Sequence, residues 1–208
     1  MFGKGAAMLM FWKQKLVLFA VPKTGTTALE TAARPFASTA ILNPPGMKHV
    51  SVRRYHNNLS GFFEQRGSHP MESMAIMREP ISWLDSWYRY RRRPQLSGRE
   101  NSTEAISFED FVTAWLEESP PAFANIGSQA RFLRGEDTAC GVTHLFRYDR
   151  LADAVTFLEG RIGETLTLPR SNISPKIPVH LSSKLETRLR AERSADFDLW
   201  DWLLQQKP

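Results

Sequence analysis

The chain has a single cysteine, Cys140, in 208 residues, so no internal disulfide can form and no cysteine cluster can bind a metal. A reducing, cytoplasmic compartment is the expectation. Long hydrophobic runs are also missing. Lys4, Lys13 and Lys15 interrupt the apolar N-terminal stretch, and nothing in the chain approaches the ~20 residues of a membrane span. No cleavable leader is expected, because the best hydrophobic segment, Leu16 to Val21, leads straight into a motif with chemical meaning. There is no internal repeat, no low-complexity tract, and no zinc or RNA-binding signature. Charge of one sign is scarcely in excess: 27 Lys and Arg against 22 Asp and Glu give a formal +5, a mild bias toward anionic ligands. With 24% charged and 42% apolar residues the chain has an ordinary globular composition. Its length suits one domain over residues 1–208.

What is present alternates between strand and helix signals. Lys15 to Val21 is a short continuous apolar run bounded by Pro22, the pattern of a parallel strand buried on both faces. A Gly and Thr turn follows, then good helix formers from Thr27 to Ala33 with Pro35 beyond. Further strands are expected at Thr39 to Leu42, Ser73 to Met77 and Thr143 to Tyr148. Pro80 opens a helix carrying Ile81, Leu84, Trp87, Tyr88 and Arg91, and Ser107 caps another that carries Phe108, Phe111, Val112, Trp115 and Leu116. Asp149 is expected to cap a helix from Arg150 to Ile162, and a last helical region spans Ser183 to Gln206. Strands alternating with helices predict an α/β fold with a central, mainly parallel sheet flanked by helices.

The segment Pro22-Lys23-Thr24-Gly25-Thr26-Thr27 lies between the first strand and its helix, where amides and the helix dipole favour an anion. Gly25 permits close backbone approach, Lys23 adds a full charge, and Thr24, Thr26 and Thr27 add hydroxyls, the parts of a phosphate cradle. It is not the nucleoside triphosphate loop, because here the lysine precedes the glycine. Downstream, Arg78 at a strand terminus offers a planar fork of donors, and Ser86 on the next helix offers a hydroxyl.

Lys23-Thr24-Gly25-Thr26-Thr27-Ala28-Leu29 resembles the 5′-phosphosulfate loop of sulfotransferases that use PAPS (3′-phosphoadenosine 5′-phosphosulfate), in the version found in carbohydrate sulfotransferases. Met77-Arg78-Glu79-Pro80, followed by Ser86 and Tyr88, resembles the family's 3′-phosphate signature. Ser107 to Phe111, Gln129 to Leu133, Phe146 to Leu151 and Asn172 to Ser174 extend the likeness over nearly the whole chain. It is nearest to the compact sulfotransferases that include bacterial members and relatives of the Golgi enzymes acting on polysaccharides. The resemblance implies a P-loop-containing nucleotide-binding fold, PAPS as donor, no metal, and Arg78 and Ser86 on the 3′-phosphate. It also implies that Asn172 and Ser174 sit in a segment closing over the nucleotide, although Pro169 and Pro175 equally frame an ordinary polar loop. Trp83 departs from the pattern, standing where many relatives carry a basic residue.

Sulfuryl transfer needs a cation for the leaving group, for which Lys23 is the candidate, and a base for the acceptor proton. His49 is chosen for that role, since an imidazole titrates near neutrality and relatives often show a Lys-His pair in this interval. Lys48 then contacts acceptor or sulfate, and Glu30 is the rival base. The acceptor is a small molecule or carbohydrate. Arg89, Arg91, Arg92, Arg93 and Arg99 form either an anion-steering patch or a solvated helix end. Competing readings are a nucleotide kinase, a basic nucleic-acid-binding module, and a donor-binding protein without catalysis. The first would need a triphosphate loop and a metal-holding acid, and the aromatics near Arg89 to Arg93 have the spacing of helix packing instead of a base-stacking platform.

Overall fold

The computed structural model describes residues 7–169 and 178–206. Five strands form one sheet in the order β3-β1-β2-β4-β5: β1 Met8–Phe11, β2 Leu16–Leu18, β3 Thr39–Ile41, β4 Glu72–Met77 and β5 His144–Arg147. The pairs β2–β4 and β4–β5 are parallel, whereas β1 runs antiparallel to both β2 and β3. Only β1 is reversed, so the sheet is mixed, with four of its strands pointing the same way.

Among the described residues ten α-helical segments surround it: α1 Thr26–Ala33, α2 Pro45–Lys48, α3 Val52–Tyr55, α4 Gly61–Phe63, α5 Pro80–Arg91, α6 Phe108–Leu116, α7 Gln129–Leu133, α8 Leu151–Ile162, α9 Ser183–Glu192 and α10 Ser194–Gln205. Alternation along the strands divides the core. Met8, Met10, Val17, Phe19, Ala75 and Met77 face one side with Val52, Leu133, Leu199 and Leu203. Leu9, Phe11, Leu16, Leu18, Met74 and Ile76 face the other with Leu29, Ala154 and Leu158. Both faces of the sheet are therefore covered, which is why its strands read as unbroken apolar runs. A third apolar cluster, centred on Trp83, Tyr88, Phe111 and Trp115, joins α5, α6 and α9.

The expected strands and helices form at or within a few residues of their predicted positions, the short helices α2, α3, α4 and α7 were not foreseen, and four further differences stand out. The reversed strand β1 was not foreseen: Met8–Phe11 is a four-residue run buried throughout, with no polar alternation to mark it. The regular ladder of β2 stops at Leu18, and beyond it the Phe19 amide still reaches the Met74 carbonyl at 2.9 Å. Asp149 does not cap α8. Its carboxylate is taken by Arg147, the chain makes a 3-10 turn over Tyr148–Arg150, and Arg150 stands at the N-cap position without capping the helix, its guanidinium paired instead with Asp153 at 2.8 Å. The C-terminal helical region is two helices, broken at Arg193 (φ −123°, ψ 35°), whose guanidinium donates to the Trp115 carbonyl at 2.8 Å.

Candidate active site

Because β2, β4 and β5 are parallel neighbours, the segments leaving their C-terminal ends emerge along one edge, where open α/β sheets bind ligands. The first is the Pro22–Thr27 loop. Lys23 (φ 66°) and Gly25 (φ 74°) are both left-handed, a conformation that costs a lysine roughly 1–2 kcal/mol. Gly25 is the N-cap of α1 and among the described residues no side chain caps that helix, so its first amides lie open at the positive end of the dipole, where an anion is favoured. Thr24 is fully buried and its hydroxyl donates to the Val21 carbonyl at 2.9 Å, so it closes the loop internally instead of facing a ligand. Trp83 Nε1 donates to the Pro22 carbonyl at 2.8 Å and ties the loop's entry to α5.

Arg78 leaves β4 next door. Its peptide is gripped from both sides by Gln129, whose Oε1 accepts the Arg78 amide at 2.9 Å while Nε2 donates to the Arg78 carbonyl at 2.7 Å. Gln129 is held in turn by buried Asp196, which accepts the Gln129 and Ala130 amides at 2.9 and 3.0 Å. Glu79 caps α5, accepting from the amides of Ile81 and Ser82 at 3.0 and 2.6 Å, with Pro80 in the first turn. The guanidinium is directed by Ser82 Oγ, 2.8 Å from Nε, and its Nη1 reaches the Lys23 carbonyl at 3.5 Å. Its Cζ lies 4.6 Å from the centre of the Tyr148 ring, which follows β5.

The field at this junction is positive. Burial, then the charges of Arg93, Arg78 and Arg89, push the Lys23 amine down to about 8. Its Nζ lies 4.3 Å from the centre of the Tyr90 ring, with the Arg93 guanidinium 4.8 Å from the same centre. Arg89 is paired with Asp85. The arginine-rich segment thus divides in two. Arg89 and Arg93 act on Lys23, whereas Arg91 is buried with its guanidinium on the Ala122 and Asn125 carbonyls, and Arg92 donates to the Tyr88 hydroxyl at 2.8 Å.

His49, at the C-terminus of α2, places Nδ1 2.7 Å from the Ala20 carbonyl. A carbonyl only accepts, so Nδ1 carries the proton and Nε2 keeps its lone pair. Burial holds the ring's pKa below its ordinary value, against the pull of the Ala20 carbonyl and with the Lys48 charge acting the same way as burial. Glu30 is only 1% exposed and accepts the Ala7 amide at 2.6 Å. Burial pushes it up to about 7, against the downward pull of the Thr26 hydroxyl, the Ala7 amide and the charges of Lys48 and Arg34.

Of the residues singled out from sequence, Lys23, Gly25 and Arg78 meet at one junction, and Thr26 and Thr27 open α1 beside it. Ser86 is buried on α5, but the hydroxyl that Arg78 grips is that of Ser82, one turn earlier. Lys48 and His49 are adjacent on and after α2, and Lys48 acts electrostatically on both His49 and Glu30. Asn172 and Ser174 lie outside the described residues. Sequence reasoning missed Gln129, Asp196, Tyr148 and Tyr90 as parts of the site. Gln129 and Tyr148 fall in segments carrying the family likeness, but nothing in their spacing assigns a partner. Among the described residues no group of three or more His, Cys, Asp and Glu is arranged to hold a metal ion, and no helix is long and apolar enough to cross a membrane. An open groove of about 1130 Å³ lies elsewhere, between α7 with its following loop and α10. No protein-family model, curated protein or solved structure matches the chain significantly.

Proposed function

We propose that the chain is a sulfotransferase that passes the sulfuryl group of PAPS to a hydroxyl or amine of a carbohydrate or other polar acceptor, releasing the bisphosphate PAP. The observation that carries this reading is the convergence of two motifs 55 residues apart, with the Arg78 guanidinium against the backbone of the Lys23 loop. An uncapped helix N-terminus, an ammonium and a guanidinium within one junction suit a nucleotide bearing two separate anionic groups. Lys23, Gly25, Thr26, Thr27 and the α1 amides take the phosphosulfate, and Arg78 takes the 3′-phosphate. In the reaction the acceptor oxygen or nitrogen bonds to sulfur, the bond from sulfur to the bridging oxygen breaks, and Lys23 offsets the charge left on PAP. His49 Nε2 receives the acceptor proton. Glu30 is the weaker candidate for that role because its carboxyl is buried and already holds the Ala7 amide.

The test is the thermal midpoint with PAP, ATP and AMP at equal concentration. At 100 times its dissociation constant a ligand of the native state stabilises by about 2.7 kcal/mol, an upward shift of roughly 5–10 °C for a chain of this size. A shift with PAP that is lost in Arg78→Ala supports the donor site. A shift with ATP and none with PAP favours a nucleotide kinase, and no shift with any of the three overturns donor binding.

A further inference from the structure

Resting on the donor reading above, we infer that Tyr148 is a positioning residue that sets the reach of Arg78 and thereby the site's preference for a nucleotide phosphorylated at the 3′ position. Tyr148 leaves the third of the parallel strands and touches both halves of the site. One face of contact is Arg78, whose guanidinium lies 4.6 Å from the ring centre. The other is the loop. A Cβ built on Gly25 would lie 3.1 Å from Tyr148 Cδ2 and closer still to Cε2, so the ring is packed against the one residue of the loop that has no side chain. Its body is anchored among the apolar residues that cover α1 and α8, which makes it a fixed wall instead of a surface side chain.

Among the described residues Arg78 has few other directional restraints at its tip, beyond the more distant charges of Asp85 and Glu79. Ser82 directs Nε at 2.8 Å, and the contact of Nη1 with the Lys23 carbonyl is long at 3.5 Å. An arginine tethered only there sweeps a wide arc about its terminal torsions. The aromatic face removes most of that arc, through the attraction of a cation for a ring and through simple exclusion. What the ring supplies is therefore orientation of the fork, and it acts on the 3′-phosphate more than on the groups held by the loop.

The experiment is calorimetric titration of the whole chain with PAP and with AMP, which lacks the 3′-phosphate, for the parent, Tyr148→Phe and Tyr148→Leu. The expected result is about a tenfold loss of PAP affinity in Tyr148→Leu with AMP affinity changed less than about twofold, and near-parental behaviour in Tyr148→Phe. Equal losses for both ligands would reduce Tyr148 to general packing of the loop and overturn the inference. So would an unchanged PAP to AMP ratio. Tyr148→Met, volume-filling but without a ring, is read in the same way should Tyr148→Leu fail to fold. A parent chain that does not distinguish PAP from AMP removes the donor reading itself, whereas a parent preference that survives Tyr148→Leu removes this inference alone.

Discussion

The two halves of the candidate site are built by different means. The Lys23 loop is a backbone device: two left-handed residues, an internally bonded Thr24 and an uncapped helix end make the cradle. The Arg78 junction is a side-chain device, in which Gln129, Asp196, Glu79 and Ser82 each satisfy a specific backbone or guanidinium group. A backbone device tolerates changes in side-chain chemistry but not in conformational freedom. A side-chain device tolerates the reverse.

Gly25→Ala attacks the backbone half and is expected to have the largest effect. The new Cβ meets the Tyr148 ring at a residue whose φ of 74° already disfavours a side chain. PAP affinity should fall about a hundredfold in titration calorimetry, and a loss under threefold would show that the loop is not rigidly held. Gln129→Glu attacks the other half with almost no change of shape. It keeps an acceptor for the Arg78 amide but sets an anionic oxygen against the Arg78 carbonyl in place of a donor. Leaving a buried acceptor unpaired costs about 1–3 kcal/mol, so denaturant unfolding should show a loss in that range, with PAP affinity falling alongside.

The pH profile separates the halves by charge. In the proposed reaction Lys23 acts as a cation, so kcat/KM should fall as pH rises through about 8, the value to which burial and its arginine neighbours bring the amine. The same proposal makes His49 a neutral base, so activity should fall on the acid side only below its ordinary value near 6.5, because burial lowers its pKa. An acid limb that persists unchanged in His49→Ala, or an alkaline limb well above pH 9, would contradict these assignments. The smallest effect is expected for Trp83→Phe, which keeps most of the ring but removes the bond from Nε1 to the Pro22 carbonyl. A loss of about 1 kcal/mol in stability is anticipated, with donor affinity nearly unchanged.

This contrast also explains what could be read in the sequence. The loop was legible because conformation and chemistry are written in consecutive residues, Lys23 to Thr27, after an apolar run. The strands and helices that frame it were legible for the same reason, and Ser107 caps α6 through the amide of Asp110 as its spacing predicts. The scaffold behind Arg78 was not, since Gln129 and Asp196 are 51 and 118 residues away and look like any polar helix residue until the fold brings them together. Ser82 was not singled out in the sequence, because only the direction of the Arg78 side chain distinguishes it from the other polar residues of α5. Trp83, noted in the sequence only for standing where many relatives carry a basic residue, serves here as a hydrogen-bonded brace. Two of the five arginines in the arginine-rich segment proved to be internal structure, because Arg91 and Arg92 serve carbonyl and phenol oxygens, a use invisible in composition.

The burial of Lys23 beside three arginines has a consequence for its own reactivity. An amine brought down to about 8 is unprotonated in about a tenth of molecules at pH 7, against fewer than about one in a thousand for an ordinary lysine. Lys23 therefore combines the lone pair of a nucleophile with a neighbourhood that gathers anions, and an acylating reagent carrying a sulfonate or phosphate group should label it ahead of the chain's other lysines.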